Sequence, residues 1–122
     1  MPTDALSWEM IVDTWPEFKP RRGYGERLQP NHVRIGWEWF DGRAARGSRS
    51  DEEAHSLCRD QAAELLCERG CYLFFGGGAA KTWCVYHLET KTFVGGGDPD
   101  RDLALRLAVV AVMEESDARA TA

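Results

Sequence analysis

The sequence predicts an α+β fold: an antiparallel sheet of three to four strands with two packed helices, in the order α-β-β-β-α, preceded by an extension with a helix and a strand. Three observations carry this. A serine-capped amphipathic pattern begins at Ser50, short apolar runs separated by glycine turns lie between Cys71 and Val94, and a long apolar run follows Asp98-Pro99. One domain over residues 1–122 is expected, with residues 1–49 as the extension and 50–117 as the core.

In the extension, Asp4 is placed to cap a helix over Ala5–Asp13 with Leu6, Met10 and Val12 among its apolar residues. Trp15-Pro16 ends it, because proline pushes its predecessor out of the helical region. Glu17 to Asn31 holds glycine and proline turn signals and reads as loop. Val33 to Phe40 alternates: Val33, Ile35, Trp37 and Trp39 share one face, and Arg34, Gly36 and Glu38 the other. Asp41-Gly42 closes that strand, and a polar Arg/Gly/Ser linker runs to Arg49.

In the core, Ser50 with Glu53 forms a capping box, and Gly70 supplies a stop, so a helix is expected to about Arg69. At about 100° per residue, Ala54, Cys58, Ala62, Leu65 and Leu66 make an apolar arc. Glu53, Asp60, Glu64 and Glu68 form an acidic stripe away from it, with Leu57 among them. Cys71–Phe75 and Thr82–Leu88 read as strands joined by a hairpin at Gly76-Gly77-Gly78, followed by a short strand at Phe93-Val94. Asp98-Pro99 reads as a cap with proline at the first helical position. The helix that follows, to about Glu115, is apolar nearly all round, with Leu107 expected in the core. Two strands are apolar on both faces. The helices can cover one face, and the other calls for the N-terminal segment or another chain.

A chain of 122 residues can bury a core without metals or disulfides. No run approaches the roughly 18 apolar residues of a membrane span. The N-terminus carries Asp4 and Glu9 without a basic residue, unlike a secretory signal. A soluble, cytoplasmic protein is therefore expected, with Cys58, Cys67, Cys71 and Cys84 as free thiols. Formal net charge is −5, unevenly spread. Residues 19–49 carry eight basic against three acidic side chains; residues 50–122 carry seven against thirteen.

No motif selects a chemistry. Phe75-Gly76-Gly77-Gly78-Ala79-Ala80-Lys81-Thr82 ends like a P-loop, but Phe75 and Ala80 occupy positions where that loop needs glycine, and a strand is expected next. The hairpin reading is preferred. Cys-x-x-Cys knuckles are absent, so neither zinc nor another cofactor is expected. His55 and Cys58 are the Cys/His pair that spacing allows. Their helix is acidic and Cys58 falls in its apolar arc, which disfavours a thiolate. No catalytic residue is assigned.

Helix–three strands–helix is also the element order of double-stranded-RNA-binding domains. The acidic start of the second helix, Asp98, Asp100 and Asp102, contradicts phosphate contacts there. Lys19, Arg21, Arg22 and Arg27 are the residues that could still touch nucleic acid.

The capped helix, Trp83-Cys84-Val85-Tyr86-His87-Leu88, Thr92-Phe93-Val94, and Gly95-Gly96-Gly97 leading to Asp102-Leu103-Ala104-Leu105-Arg106-Leu107-Ala108 resemble the small phage-encoded α-β-β-β-α proteins of the phage ABA sandwich type. The resemblance covers residues 50–116 by order and texture. It implies a mobile-element origin, no catalytic residues, and an anti-defence role such as anti-CRISPR inhibition.

The expected function is thus non-enzymatic protein binding, as an inhibitor of a host nucleic-acid enzyme. The partner would carry a basic surface, met by Glu53, Leu57, Asp60, Glu64 and Glu68. A homodimer is a further mode of assembly. The alternatives are a nucleic-acid-binding accessory protein using residues 19–49, and a zinc or thiol enzyme around His55 and Cys58.

Overall fold

The computed structural model describes residues 6–21, 26–31, 36–41, 44–76 and 81–121. The chain divides into two compact units, Met1–Gln61 and Ala62–Ala122. The fold is α+β with two antiparallel three-stranded sheets, β1-β2-β3 and β4-β5-β6, and three α-helices.

The first unit opens with α1, Trp8–Thr14. Its cap is Ser7, whose side chain accepts from the Met10 N–H at 3.2 Å. The expected cap, Asp4, lies outside the described residues. Trp15 ends the helix ahead of Pro16, and a 3-10 turn follows over Pro16–Phe18. That turn lays Phe18 on Trp8, rings 5.9 Å apart and nearly parallel.

Two stretches expected to be irregular are strands. β1 is Arg27–Pro30, within the expected loop, and β3 is Ala44–Arg49, in the expected linker. Both pair antiparallel with β2, Trp37–Asp41. The described part of the expected Val33–Phe40 strand is this β2; residues 32–35 lie outside the described residues. Neither β1 nor β3 has an apolar alternation of its own to announce it. Their order comes from hydrogen bonding to β2, which does.

The register places Leu28 opposite Trp39 and Pro30 opposite Trp37. Leu28, Trp37 and Trp39 are all buried. Arg27, Gln29, Glu38, Phe40 and Ser48 alternate onto the other face.

Helix α2, Asp51–Glu68, belongs to the first unit as far as Gln61 and to the second from Ala62. The Ser50 hydroxyl accepts from the Glu53 N–H at 3.3 Å, as the capping box requires. Gly70 ends the helix at φ +76°, the left-handed conformation that favours glycine. Ala54, Cys58, Ala62 and Leu66 are buried and Leu65 is half-buried, so the apolar arc is real.

The second unit continues with β4 (Cys71–Phe75), β5 (Trp83–His87), β6 (Thr92–Asp98) and α3 (Arg101–Thr121). β4 and β5 pair from Cys71↔His87 to Phe75↔Trp83, and the Gly76 N–H reaches the Thr82 carbonyl at 2.7 Å. β4 and β5 are thus antiparallel neighbours, and a strand rather than a helix follows Lys81-Thr82, which is incompatible with a P-loop; residues 77–80 lie outside the described residues.

β6 is longer than the two residues expected, because Gly95-Gly96-Gly97 lies inside it. Its register against β5 shifts there, with Trp83 opposite Asp98 but Val85 opposite Val94. Gly95 sits at φ +82°, and a Cβ on it would lie 2.6 Å from the Ala108 backbone nitrogen. Helix α3 packs backbone-close on β6 at this point, which no residue larger than glycine permits.

Two expectations about α3 need correction. Its cap is Asp100, whose carboxylate accepts from the Asp102 N–H at 3.0 Å, and the helix starts at Arg101. Asp98 instead accepts from the Asp100 N–H, forming a turn over Pro99. The helix is also not buried all round. Ala104, Leu105, Ala108, Val109, Val112 and Met113 form one buried stripe, while Leu103, Leu107 and Val110 are half-buried. One residue pair per turn (Ala104-Leu105, Ala108-Val109, Val112-Met113) makes up this stripe, and α3 lies along β6 and β5.

Candidate functional site

The acidic stripe is surface. Glu53, Asp60, Glu64 and Glu68 are all exposed. Glu53 lies 3.8 Å from Arg49, one turn earlier, an exposed pair of little energetic weight. Leu57 is half-buried in a shallow depression shared with Arg21, Trp39, Arg49, Glu52, Glu53 and Ser56. Arg21, Trp39 and Arg49, which precede α2, line this depression with it.

Two of the basic candidates, Arg21 and Arg27, come together, while Lys19 is engaged elsewhere. Lys19 donates to the Gln29 side-chain oxygen at 2.8 Å. Arg21 and Arg27 are exposed and face each other across an isolated antiparallel bridge. Arg22 lies outside the described residues.

His55 and Cys58 do not form a reactive pair. Cys58 is fully buried. The His55 Nε2 lies 2.8 Å from a Glu9 oxygen on α1, and the Trp37 ring meets the imidazole edge-on at 5.9 Å. Burial alone would raise the Glu9 pKa. The His55 hydrogen bond, the residue's own backbone N–H, the His55 charge and the nearby Trp37 indole together hold it below its ordinary value. This trio ties α1, β2 and α2 together. Among the described residues, no group of three His, Cys, Asp or Glu side chains could hold a metal ion. No helix among them is long and apolar enough to cross a membrane.

Two features of the second unit lie outside the site residues expected from the sequence. The first is the sheet face opposite to Val85, the buried centre of the α3-covered side. Register places Tyr72 beside Tyr86, Tyr86 beside Phe93, and Phe74 beside Cys84. The rings of Tyr72, Phe74, Tyr86 and Phe93 touch in a chain of centroid distances from 5.3 to 6.2 Å. Yet Phe93 is 65% exposed and Tyr72 43%. The face carries no charged side chain among these positions. The signal for it was the unalternating Cys71–Phe75 run, which demands cover on both sides.

The second is a cleft at the end of the same sheet. Cys71 and His87 are direct cross-strand partners and so point to the same side. They line the cleft with Arg69, Glu89, Thr90, Thr92, Val94 and, from α3, Val112, Glu115, Ser116 and Arg119. A strand pairing that joins residues 16 positions apart left no local spacing to find. Burial first, and then the Glu115 charge, push the Cys71 thiol up, with Arg69 opposing. A raised thiol pKa disfavours the thiolate that a Cys/His nucleophile pair would need.

The acids at the start of α3 are used internally. Asp98 and Asp100 accept backbone N–H groups, and Asp102 lies 2.9 Å from Arg106. No family model, no curated protein and no solved structure matches this chain.

Proposed function

We propose that the protein is a non-enzymatic protein-binding module that seats its partner on the aromatic face of Tyr72, Phe74, Tyr86 and Phe93. The observation that carries this reading is the exposure of Phe93 and Tyr72 within a contiguous, charge-free aromatic patch. Scattered exposed apolar residues need no explanation, but a contiguous patch in contact across three strands does. Tyrosine and phenylalanine offer large contact area for few rotors, the composition of interface anchors. The exposed carboxylates of Glu64 and Glu68 would steer a basic partner toward the molecule and add on-rate more than affinity. The sandwich resemblance extends the reading to a phage-encoded inhibitor of a host nucleic-acid enzyme.

The test is affinity capture from a bacterial lysate with three baits: wild type, Tyr72→Ser/Phe93→Ser, and Glu64→Lys/Glu68→Lys. Each bait is first shown to be folded by its unfolding transition. A partner retained by the wild type should be lost by the aromatic variant. With the charge variant it should associate more slowly, most clearly at low salt. Retention by all three baits would overturn the assignment of the face. Salt-dependent binding of a single-stranded oligonucleotide, lost on Arg21→Ala/Arg27→Ala, would replace it with the nucleic-acid reading.

A further inference from the structure

The cleft lined by Cys71 and His87 has a donor arrangement that the protein-binding reading does not use. Its volume of about 640 Å3 lies within the roughly 300–1,000 Å3 of small-molecule sites. Four charged side chains line it. Arg119 and Glu115 neutralise each other at 2.7 Å. Glu89 is exposed in the β5–β6 turn, where water screens it. The Arg69 guanidinium is bonded to a neutral group, the Ser116 hydroxyl, at 3.0 Å. It therefore keeps its charge and most of its fork of donors for a ligand.

His87 supplies a second donor by its tautomer. Its Nδ1 accepts from the Thr90 backbone N–H at 3.0 Å. An Nδ1 that accepts leaves the proton of the neutral ring on Nε2. Nε2 lies beside Gly70, where an added Cβ would stand in ordinary contact at 3.9 Å. Thr90 Oγ1 lies 3.1 Å from Nδ1 and 2.6 Å from Thr92 Oγ1, so both hydroxyls hold the ring in place. Val94 and Val112 provide an apolar wall.

We propose that this cleft binds a small organic oxyanion, a carboxylate or a phosphate ester, through the Arg69 guanidinium and His87 Nε2–H, with the ligand's apolar body against Val94 and Val112. A guanidinium is suited to this because its donors match two oxygens of one anion at once. Cys71 also lines the cleft and, as a thiol, adds shape rather than charge.

The experiment is a nuclear magnetic resonance titration of the full chain with sodium butyrate and, separately, inorganic phosphate. Sodium chloride holds the ionic strength constant. Saturable shifts of the Thr90 amide and the His87 ring are expected with at least one of the two probes. Which probe binds assigns the ligand to the carboxylate or the phosphate class. Arg69→Gln should weaken binding about tenfold, the worth of one charge-assisted bond. Arg69→Lys, which keeps the charge and loses the fork, should fall between. Arg119→Gln should matter much less and serves as the control. The absence of saturable shifts with either probe would overturn the proposal, as would affinities that Arg69→Gln and Arg69→Lys leave unchanged.

Discussion

The two sheets are the same size and use their aromatic residues in opposite ways. In β1-β2-β3 the tryptophans lie on one side only. Trp37 and Trp39 are buried, and Arg27, Gln29, Glu38, Ser48 and the half-buried Phe40 face the other way. In β4-β5-β6 the large apolar residues occupy both sides. Val85 and Cys71 are buried on the α3 side, while Tyr72 and Phe93 stand exposed on the other. Aromatic content alone therefore does not identify a core. The alternation of β2 already assigns one face to solvent. The unalternating run of β4 leaves an apolar face over after α3 has covered its partner. That surplus face is the one on which the proposed binding rests.

This contrast can be broken most severely at β2. Trp37→Ala should cost about 3–5 kcal/mol, the range for removing a fully buried large aromatic, measured by denaturant unfolding. A loss below about 0.5 kcal/mol would mean that Trp37 is not core. On the covered side of the second sheet, Leu105→Ala should cost about 2–5 kcal/mol. Half-buried Leu107→Ala should cost clearly less, since it removes less apolar contact. Equal losses at the two positions would contradict the single buried stripe of α3.

Gly95→Ala tests how closely α3 approaches the sheet. The new Cβ would meet backbone atoms of Leu107 and Ala108 at 2.6–2.8 Å, at a positive φ. A loss of about 1–3 kcal/mol is expected from strain and overpacking. A neutral outcome would mean that α3 can shift at little cost.

A smaller effect belongs to Glu9. Its folded pKa is lower than its ordinary value of 4.5. Its contribution to stability is therefore complete above that value and is lost as pH falls through the lower folded value. Glu9→Gln should remove this part of the acid dependence while leaving the rest of the curve. An unchanged acid limb in unfolding experiments would show that the pairing with His55 does not stabilise the fold. The smallest effect is expected on the exposed face: Phe93→Ser should change stability by less than about 0.5 kcal/mol. A large loss there would mark the face as core and remove the main support for a binding surface.

Much of the local structure could be read before any contact was known. The Ser50 cap, the Gly70 stop, the buried Ala54, Cys58, Ala62 and Leu66, the Trp15-Pro16 break and the strands β4 and β5 all follow from signals spanning a few residues. Such signals work because helix caps, proline restriction and side-chain periodicity are properties of the chain within one or two turns. The strands β1 and β3 were not legible, because they are ordered by hydrogen bonds to β2 rather than by an apolar pattern of their own. The cap of α3 moved from Asp98 to Asp100 because Asp98 is held at the end of β6. The Glu9–His55 contact, the cleft around Arg69 and His87, and the exposure of Phe93 were decided by tertiary structure alone. They depend on which residues far apart in sequence are brought opposite one another, and on how many faces one helix can cover. Neither quantity is encoded in a local window of the chain.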